Sequence, residues 1–322
     1  MVEFDLIELI RKRVQYARAD VRLGIGDDGA VLAPRPGQDL VACTDTLVAG
    51  VHFPVATAAG DIGWKALAVN LSDLAAMGAF PAWALVALTL PEADPAFVTG
   101  FADGFGELAA LHQTALVGGD TTRGPLSVTV TALGFVSPGS CLRRDGARPG
   151  DEVFVTGMLG DAAAGLHCVC EGTPSELADD HRATLMARLN RPLPRVAAGT
   201  ALRGVASACI DVSDGLLIDL DHIARASGVG IEVDVAELPA SAALLAAFDA
   251  ATRVGWQLGG GDDYELAFTV SPNVAQNLTG DLARLGCGAT RIGRVVTGSG
   301  VRALTPDRVE LAMDVRGWLH FQ

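Results

Sequence analysis

Apolar positions recur at helical spacing at the start of the chain, where Phe4, Ile7, Ile10 and Val14 predict an amphipathic helix over residues 3–14. The run QDLVACTDTL then predicts a strand ending at Asp45. From Asp61 to Met77 the helical period returns. Asp61 can cap that helix, Ile62, Leu67, Leu71 and Leu74 form its stripe, and Gly78 can end it. A strand over 83–90, a helix near 95–112 and a short strand into Gly118-Gly119 follow. LSVTVTALGFV, at 126–136, alternates apolar residues with Ser and Thr and predicts a half-buried antiparallel strand.

The segment SPGSCLRRDGARPGD, residues 137–151, has no period and reads as a domain joint. Two domains are expected, 1–137 and 138–322, each α+β with its own sheet. In the second, EVFVTG and GMLGDAAAGLHCV give a strand, a glycine turn and a helix. Further strands are expected at 206–211, 229–235, 264–270 and 289–296. Helices are expected around 176–189, 194–202, 215–227, 240–250 and 273–285. No repeat of 20–50 residues is evident.

Composition narrows the function. The net charge of −14 argues against a nucleic-acid partner, and the bias of two lysines against 22 arginines reads as genomic more than functional. No apolar run reaches 18 residues without a charge or a breaker, so no membrane span is expected. The N-terminus has no signal-peptide pattern, and the cysteines form no CxxC pair. Five of the six cysteines lie in apolar sequence and are expected to be buried thiols, consistent with a cytoplasmic protein.

The acids carry the chemistry. There are 27 Asp against 11 Glu, and many of the Asp cluster beside glycines: GIGDDGA at 24–30, GGDTT at 118–122, DVSDG at 211–215 and GGGDDYEL at 259–266, with CTDTL at 43–47. Each is expected where an apolar run breaks into a turn. Two carboxylates ~4 Å apart repel by roughly 4 kcal/mol at an effective dielectric of 20. A convergent nest of them needs cations, and hard oxygen donors point to magnesium. Paired glycines let backbone amides approach phosphate oxygens. Gly215 is expected to open a helix whose first amides favour anions, with Asp214 as a capping residue.

Asp27 and Asp28 read as a tight turn or as ligands, and Thr44, Asp45 and Thr46 as a magnesium shell or a plain strand end. Asp73 lies among Leu71, Leu74 and Ala75, which favours a ligand over a solvated charge. Arg143 and Arg144 read as phosphate clamps or a surface pair. No G-x-x-x-x-G-K-[ST] motif occurs, which excludes a P-loop.

Taken in order, GIGDDGAVL, TDTLVAGVHF, GWKALAVNLSDLAAMGA, GGDTTRGPLSVTVTALG, RRDGARPGDEVFVTG, DVSDGLLIDL and GGGDDYELAFTV resemble the thiamine-monophosphate kinase family. That family is related to aminoimidazole-ribonucleotide synthetase and selenophosphate synthetase. The resemblance implies an N-terminal sheet domain that dimerises through its strands, and a larger C-terminal domain that completes the active site. It implies transfer of the ATP γ-phosphoryl group to thiamine monophosphate with several Mg2+ ions, the last step of thiamine diphosphate synthesis.

The resemblance assigns Asp28, Cys43, Thr44, Asp45, Asp73, Asp120, Asp211 and Asp214 to metal, and Asp103, Gly119, Asp120, Arg144 and Ser213 to nucleotide. His52, Asp262 and Trp318 fall to the acceptor, with Asp262 standing where the family pattern has Glu. Trp318 could instead be a buried C-terminal anchor. Another ATP-dependent synthetase of the superfamily, or a non-catalytic metal- or nucleotide-binding protein, are the alternatives. The chain lacks both the reactive Cys of a selenophosphate synthetase in residues 5–30 and the terminal Cys of a hydrogenase-maturation protein.

Overall fold

The computed structural model describes residues 3–174, 177–312 and 317–318. The chain divides into two compact units, residues 1–74 with 79–139, and residues 140–322 with the short segment 75–78.

The first unit runs α1 (Glu3–Arg13), β1 (Val21–Leu23), β2 (Val31–Leu32), β3 (Asp39–Val48), α2 (Ala59–Ala76), β4 (Phe80–Leu90), α3 (Pro95–Leu111), β5 (Ala115–Arg123) and β6 (Ser127–Val136). A four-stranded sheet is ordered β3-β6-β4-β5, with β6 antiparallel to both neighbours and β4 parallel to β5. α3 starts where it does because Asp94 accepts from the amides of Ala96 and Phe97, with Pro95 at the first helical position. α2 and α3 meet backbone to backbone. A Cβ at Gly104 would collide with the Gly60 carbonyl, and one at Gly63 with the carbonyl of Phe101.

The sheet has two unlike faces. On one, Val86, Leu88, Val128, Val130 and Ala132 are buried, and the Cys43 thiol donates to the Asn70 carbonyl of α2 at 3.3 Å. On the other, Thr46 meets Thr129 at 2.8 Å and Thr44 meets Thr131 at 3.1 Å, in a partly open row. The β1–β2 ribbon covers one end of this second face, packing Val21, Ala30 and Leu32 against Trp83 and Phe135. Trp83 Nε1 donates to Asp20 at 3.1 Å, and Arg18 holds that carboxylate below its usual range.

Two expectations are corrected here. β3 does not end at Asp45 but continues to Val48, paired throughout with β6 down to Ser127. GGDTT is not a turn: β5 carries it to Arg123, with Gly119 opposite Val86 and Asp120 opposite Ala87. In both places the neighbouring strand outlasts the apolar run, and backbone pairing extends with it.

The second unit runs β7 (Glu152–Thr156), α4 (Asp161–Cys170), α5 (Asp179–Asn190), α6 (Val196–Ala201), β8 (Ala208–Val212), α7 (Leu216–Ser227) and β9 (Gly230–Asp234). After a 3-10 turn at Val235–Glu237 come α8 (Ala242–Ala247), α9 (Ala250–Gly259), β10 (Glu265–Val270), α10 (Pro272–Arg284), β11 (Ala289–Val296) and β12 (Gly300–Leu304). Its sheet is ordered β12-β9-β11-β7-β10-β8, antiparallel except where β12 joins β9. Val153, Val155, Ile210, Ile231 and Ile292 bury one face against Leu216, Leu220 and Ile223 of α7.

The helix expected over 240–250 is α8, and α9, which the pattern did not show, starts afresh where Asp249 accepts from the Thr252 amide. β12 and the small β1–β2 ribbon also escaped the pattern. Cys168, Cys209 and Cys287 are buried, Cys43 and Cys141 half-buried, and Cys170 exposed on the last turn of α4, so three thiols are buried and not five. No helix of the described residues is long and apolar enough to cross a membrane.

The close approach of α2 and α3 predicts that Gly104→Ala destabilises the protein by about 2 kcal/mol, as overpacking does. Gly280→Ala should have the opposite sign. Its Cβ meets nothing within 4 Å on α10, and a helical Gly→Ala change gains about 0.5–1 kcal/mol. Urea denaturation of the two variants checks both signs.

Candidate active site

Two of the glycine–aspartate segments meet in the first unit. A cavity of about 730 Å³ is lined by Gly24 to Ala30, by Gly118 to Thr121, and by Thr129 and Thr131 of β6. Asp28 and Asp120 are therefore on one cavity, although 92 positions separate them. The sheet's open face forms its floor, and Ile7 and Ile10 of α1 add an apolar wall. The Asp27 carboxylate accepts from the Asp28 amide and the Asp120 carboxylate from the Thr121 amide, both at 2.9 Å. Each turn or strand thus fixes its own carboxylate locally. Gly119 is required by packing, since a Cβ there would strike the Val86 carbonyl.

β3 divides its candidates between the faces of the sheet. Thr44 is on the open face, bonded to Thr131, which lines the cavity. Cys43 and Asp45 alternate to the face carrying α2. There Asp73 lies one helical turn beyond Asn70, half-buried. The CTDTL residues consequently do not form one shell, as period-2 alternation forbids neighbouring side chains from sharing a face.

His52 closes the turn after β3. Its Nδ1 accepts from the Val48 amide at 2.9 Å, so the proton of the neutral ring is on Nε2. The buried Lys65 ammonium donates to the His52 carbonyl at 3.3 Å. Asp103 is elsewhere: on α3 it takes a bidentate bond from Arg13 at 2.7 and 2.8 Å, outside the cavity lining.

In the second unit DVSDG and GGGDDYEL are bound together. The Asp262 amide donates to the Ser213 carbonyl and the Tyr264 amide to the Val212 carbonyl, both at 2.8 Å. Glycine permits this: a Cβ at Gly261 would collide with the Ser213 carbonyl. The Trp318 amide donates to the Asp214 carbonyl at 2.8 Å. Asp211, Ser213, Asp214, Asp262 and Trp318 are thereby brought together. Trp318 is 52% exposed, which removes the reading of a buried anchor.

The helix start beside them corrects a further expectation. Gly215, not Asp214, is the N-cap residue of α7, and the amides held here are those of the three residues before the helix. Asp219 Oδ2 accepts from the amides of Ser213, Asp214 and Gly215 at 3.0, 3.1 and 3.1 Å. Burial, reinforced by the charges of Asp211 and Asp214, pushes the Asp219 carboxyl up to about 8. The sequence signal was present in DVSDGLLID, where an acid one turn inside the helix can fold back on its N-terminus. Tyr264, Thr129, Thr131, Ile7 and Ile10 were also missed, because polar sheet residues and apolar helix residues carry no motif.

The two acids of GGGDDYEL have opposite fates. Asp262 is half-buried, whereas Asp263 is 1% exposed and accepts from the Gly160 amide through both oxygens at 3.0 Å. Desolvation raises the Asp263 carboxyl well above the usual range. Glu265, fully buried, takes bonds from Arg188, Arg195 and Thr156. Of the joint arginines, Arg143 is held by Asp145 at 2.6 Å, while Arg144 is exposed and makes no ion pair among the described residues.

Among the described residues, no three His, Cys, Asp or Glu side chains are grouped to hold a metal by themselves. Magnesium takes one or two carboxylates and completes its shell with water and substrate phosphates. The oxygen donors of Asp28, Asp120, Asp211 and Asp214 fit that mode.

Comparison with known proteins defines the class first. Residues 26–136 match the family described as AIR synthase related protein, N-terminal domain, and residues 148–305 match its C-terminal domain. The thiamine-monophosphate kinase of Salmonella typhimurium is 46% identical over 320 residues, 99% of this chain and 98% of that protein. The crystal structure of a thiamine-monophosphate kinase from Stenotrophomonas maltophilia has TM-score 0.88 and 50% identity, covering 94% of this chain and 96% of that one. AaThiL complexed with AMPPCP and TMP has TM-score 0.78 and 33% identity, covering 99% and 97%. The chain belongs to the thiamine-monophosphate kinase family.

The cap at α7 is directly testable. Asp219→Ala leaves three amides without their acceptor and should destabilise the protein by about 3 kcal/mol. Asp219→Asn keeps an acceptor oxygen and should lose less than half of that. Chemical denaturation followed by circular dichroism measures the difference.

Proposed function

We propose that this chain transfers the γ-phosphoryl group of ATP to the phosphate of thiamine monophosphate, giving thiamine diphosphate and ADP. The observation that carries the reading is the meeting of Asp28 and the Gly118–Thr121 segment on one cavity with an apolar wall. A nucleotide needs such a combination: backbone and carboxylates near its phosphates, and apolar surface for its base. The AMPPCP and TMP bound by AaThiL support the same pair of substrates here.

Each group has a role in this reading. Gly119 and Asp120 contact the nucleotide, with Ser213 and Arg144 as further contacts. Asp103 is retained as a weaker nucleotide contact, because Arg13 already occupies its carboxylate. Asp28, Thr44, Asp45, Asp73, Asp120, Asp211 and Asp214 hold Mg2+, and Cys43 contributes through its backbone carbonyl. When bound, Mg2+ neutralises charge on the phosphates and orients them. The acceptor is a phosphate oxygen, already ionised near neutral pH, so no general base is assigned. Phosphoryl transfer then depends on positioning and electrostatics.

His52, Asp262 and Trp318 recognise the organic part of the acceptor. His52 offers Nε2–H, since Nδ1 is spent on Val48. Trp318 offers an exposed ring to a cationic thiazolium. The partly open threonine row of the first unit's sheet, with Leu40 and Phe80 exposed beside it, suits a homodimer. A monomer by light scattering at micromolar concentration would refute that arrangement.

ADP release with thiamine monophosphate and Mg2+ tests the reaction. Asp120→Asn should lower kcat by at least about a hundredfold with the fold intact, as loss of one transition-state charge contact does. Full activity after exhaustive chelation would remove the metal from the mechanism. Trp318→Ala should raise KM for thiamine monophosphate far more than KM for ATP, the sign of lost acceptor binding. Equal turnover of free thiamine, which lacks the phosphate, would displace the whole assignment.

A further inference from the structure

The turn that presents Asp262 is held in an unusual backbone conformation. Asp262 has φ +67° and Tyr264 φ +49°, on either side of Asp263. Aspartate tolerates the left-handed region, but a bulky aromatic rarely adopts it. Such strain persists only where the surroundings over-determine it. Here they do: two amide hydrogen bonds tie the turn to Val212 at the end of β8 and to Ser213 just beyond it, Asp263 reaches inward to Gly160, and Arg188 donates to the Asp263 carbonyl at 3.0 Å.

The outcome of this arrangement is a side-chain contact. With both residues left-handed, the Tyr264 ring is 7% exposed and its hydroxyl donates to Asp262 Oδ1 at 3.0 Å. A phenol buried for packing alone would be served equally by phenylalanine. The hydroxyl instead fixes the one acidic group of the turn that points outward. Asp262 is a methylene shorter than glutamate, and a short carboxylate must be aimed more closely to be useful.

We propose that Tyr264 is a positioning residue for acceptor recognition, its hydroxyl orienting the Asp262 carboxylate toward the organic part of thiamine monophosphate. This rests on the assignment of Asp262 to the acceptor made above. Tyr264 acts on binding only through Asp262 and does not touch the substrate. Binding of the phosphates and of the nucleotide should be indifferent to its hydroxyl.

The test is Tyr264→Phe in the full-length enzyme, with both substrates varied. KM for thiamine monophosphate should rise about tenfold, the worth of one hydrogen bond to a charged group. KM for ATP should be unchanged. In an Asp262→Ala background, Tyr264→Phe should add nothing, because the group it aims has gone. An unchanged KM for thiamine monophosphate, an equal rise for both substrates, or a full further effect in the Asp262→Ala background would overturn the inference. So would an Asp262→Ala variant with normal acceptor kinetics, which leaves the kinase reading standing. A wild-type enzyme that releases no ADP with thiamine monophosphate would overturn both.

Discussion

A carboxylate taken out of water must find donors, and this chain is organised around that requirement. An uncompensated buried charge costs several kcal/mol, enough to consume much of a domain's net stability. Glu265 is satisfied by two arginines and a threonine, Asp219 by three amides of the turn before α7, and Asp263 by the Gly160 amide. Glu232, on β9, is surrounded by Arg294, Arg302 and Arg308. With only 24 basic residues against 38 acidic ones, the arginines cannot serve every acid. Other acids line the cavity or gather at the DVSDG turn. They are the ones whose repulsion a cation can relieve.

Backbone geometry decides which acid does which job. Asp262 and Asp263 are adjacent and chemically identical, yet one points out and the other in. In a regular strand that would follow from period-2 alternation alone. Here it is imposed by left-handed residues and by glycines that let the turn close onto β8. The interior acid fastens the turn, and the exterior acid accepts from the Tyr264 hydroxyl. Asp219 does the same for α7, drawing the amides of DVSDG into a fixed arc. The price is a carboxyl crowded by Asp211 and Asp214, a strain that bound cations at those two groups would lessen.

The helices and central strands were legible because their apolar periods are strong. α2, α3, α7 and β6 fall within a few residues of the pattern. What was not legible has a common cause. The ends of β3 and β5 are set by the partner strand and not by their own hydrophobicity, so Asp45 and GGDTT lie inside strands. α9 begins where Asp249 caps a new helix, a start that the apolar pattern did not show. Likewise, the acids were visible as a set from the sequence, but not their division into structural and exposed members. GGGDDYEL gives no sign that its second Asp turns inward, since that depends on Gly160, about a hundred residues away. The joint at 137–151 was read from composition alone; the compact units change over at Gly139 and Ser140, apart from residues 75–78, which cluster with the second.

A net charge of −14 appears ill-suited to substrates that are themselves polyanions. Long-range fields of that sign repel free nucleotide and phosphate monoester alike. On the proposed reading the difficulty resolves itself. A nucleotide that arrives with divalent cations is far less anionic, and the exposed aspartates attract those cations. An arginine- or lysine-lined site would bind anions without metal, and would hold product as firmly as substrate. Carboxylates make affinity conditional on the ions that the transfer itself requires. The absence of a P-loop lysine then belongs to the same design as the abundance of aspartate.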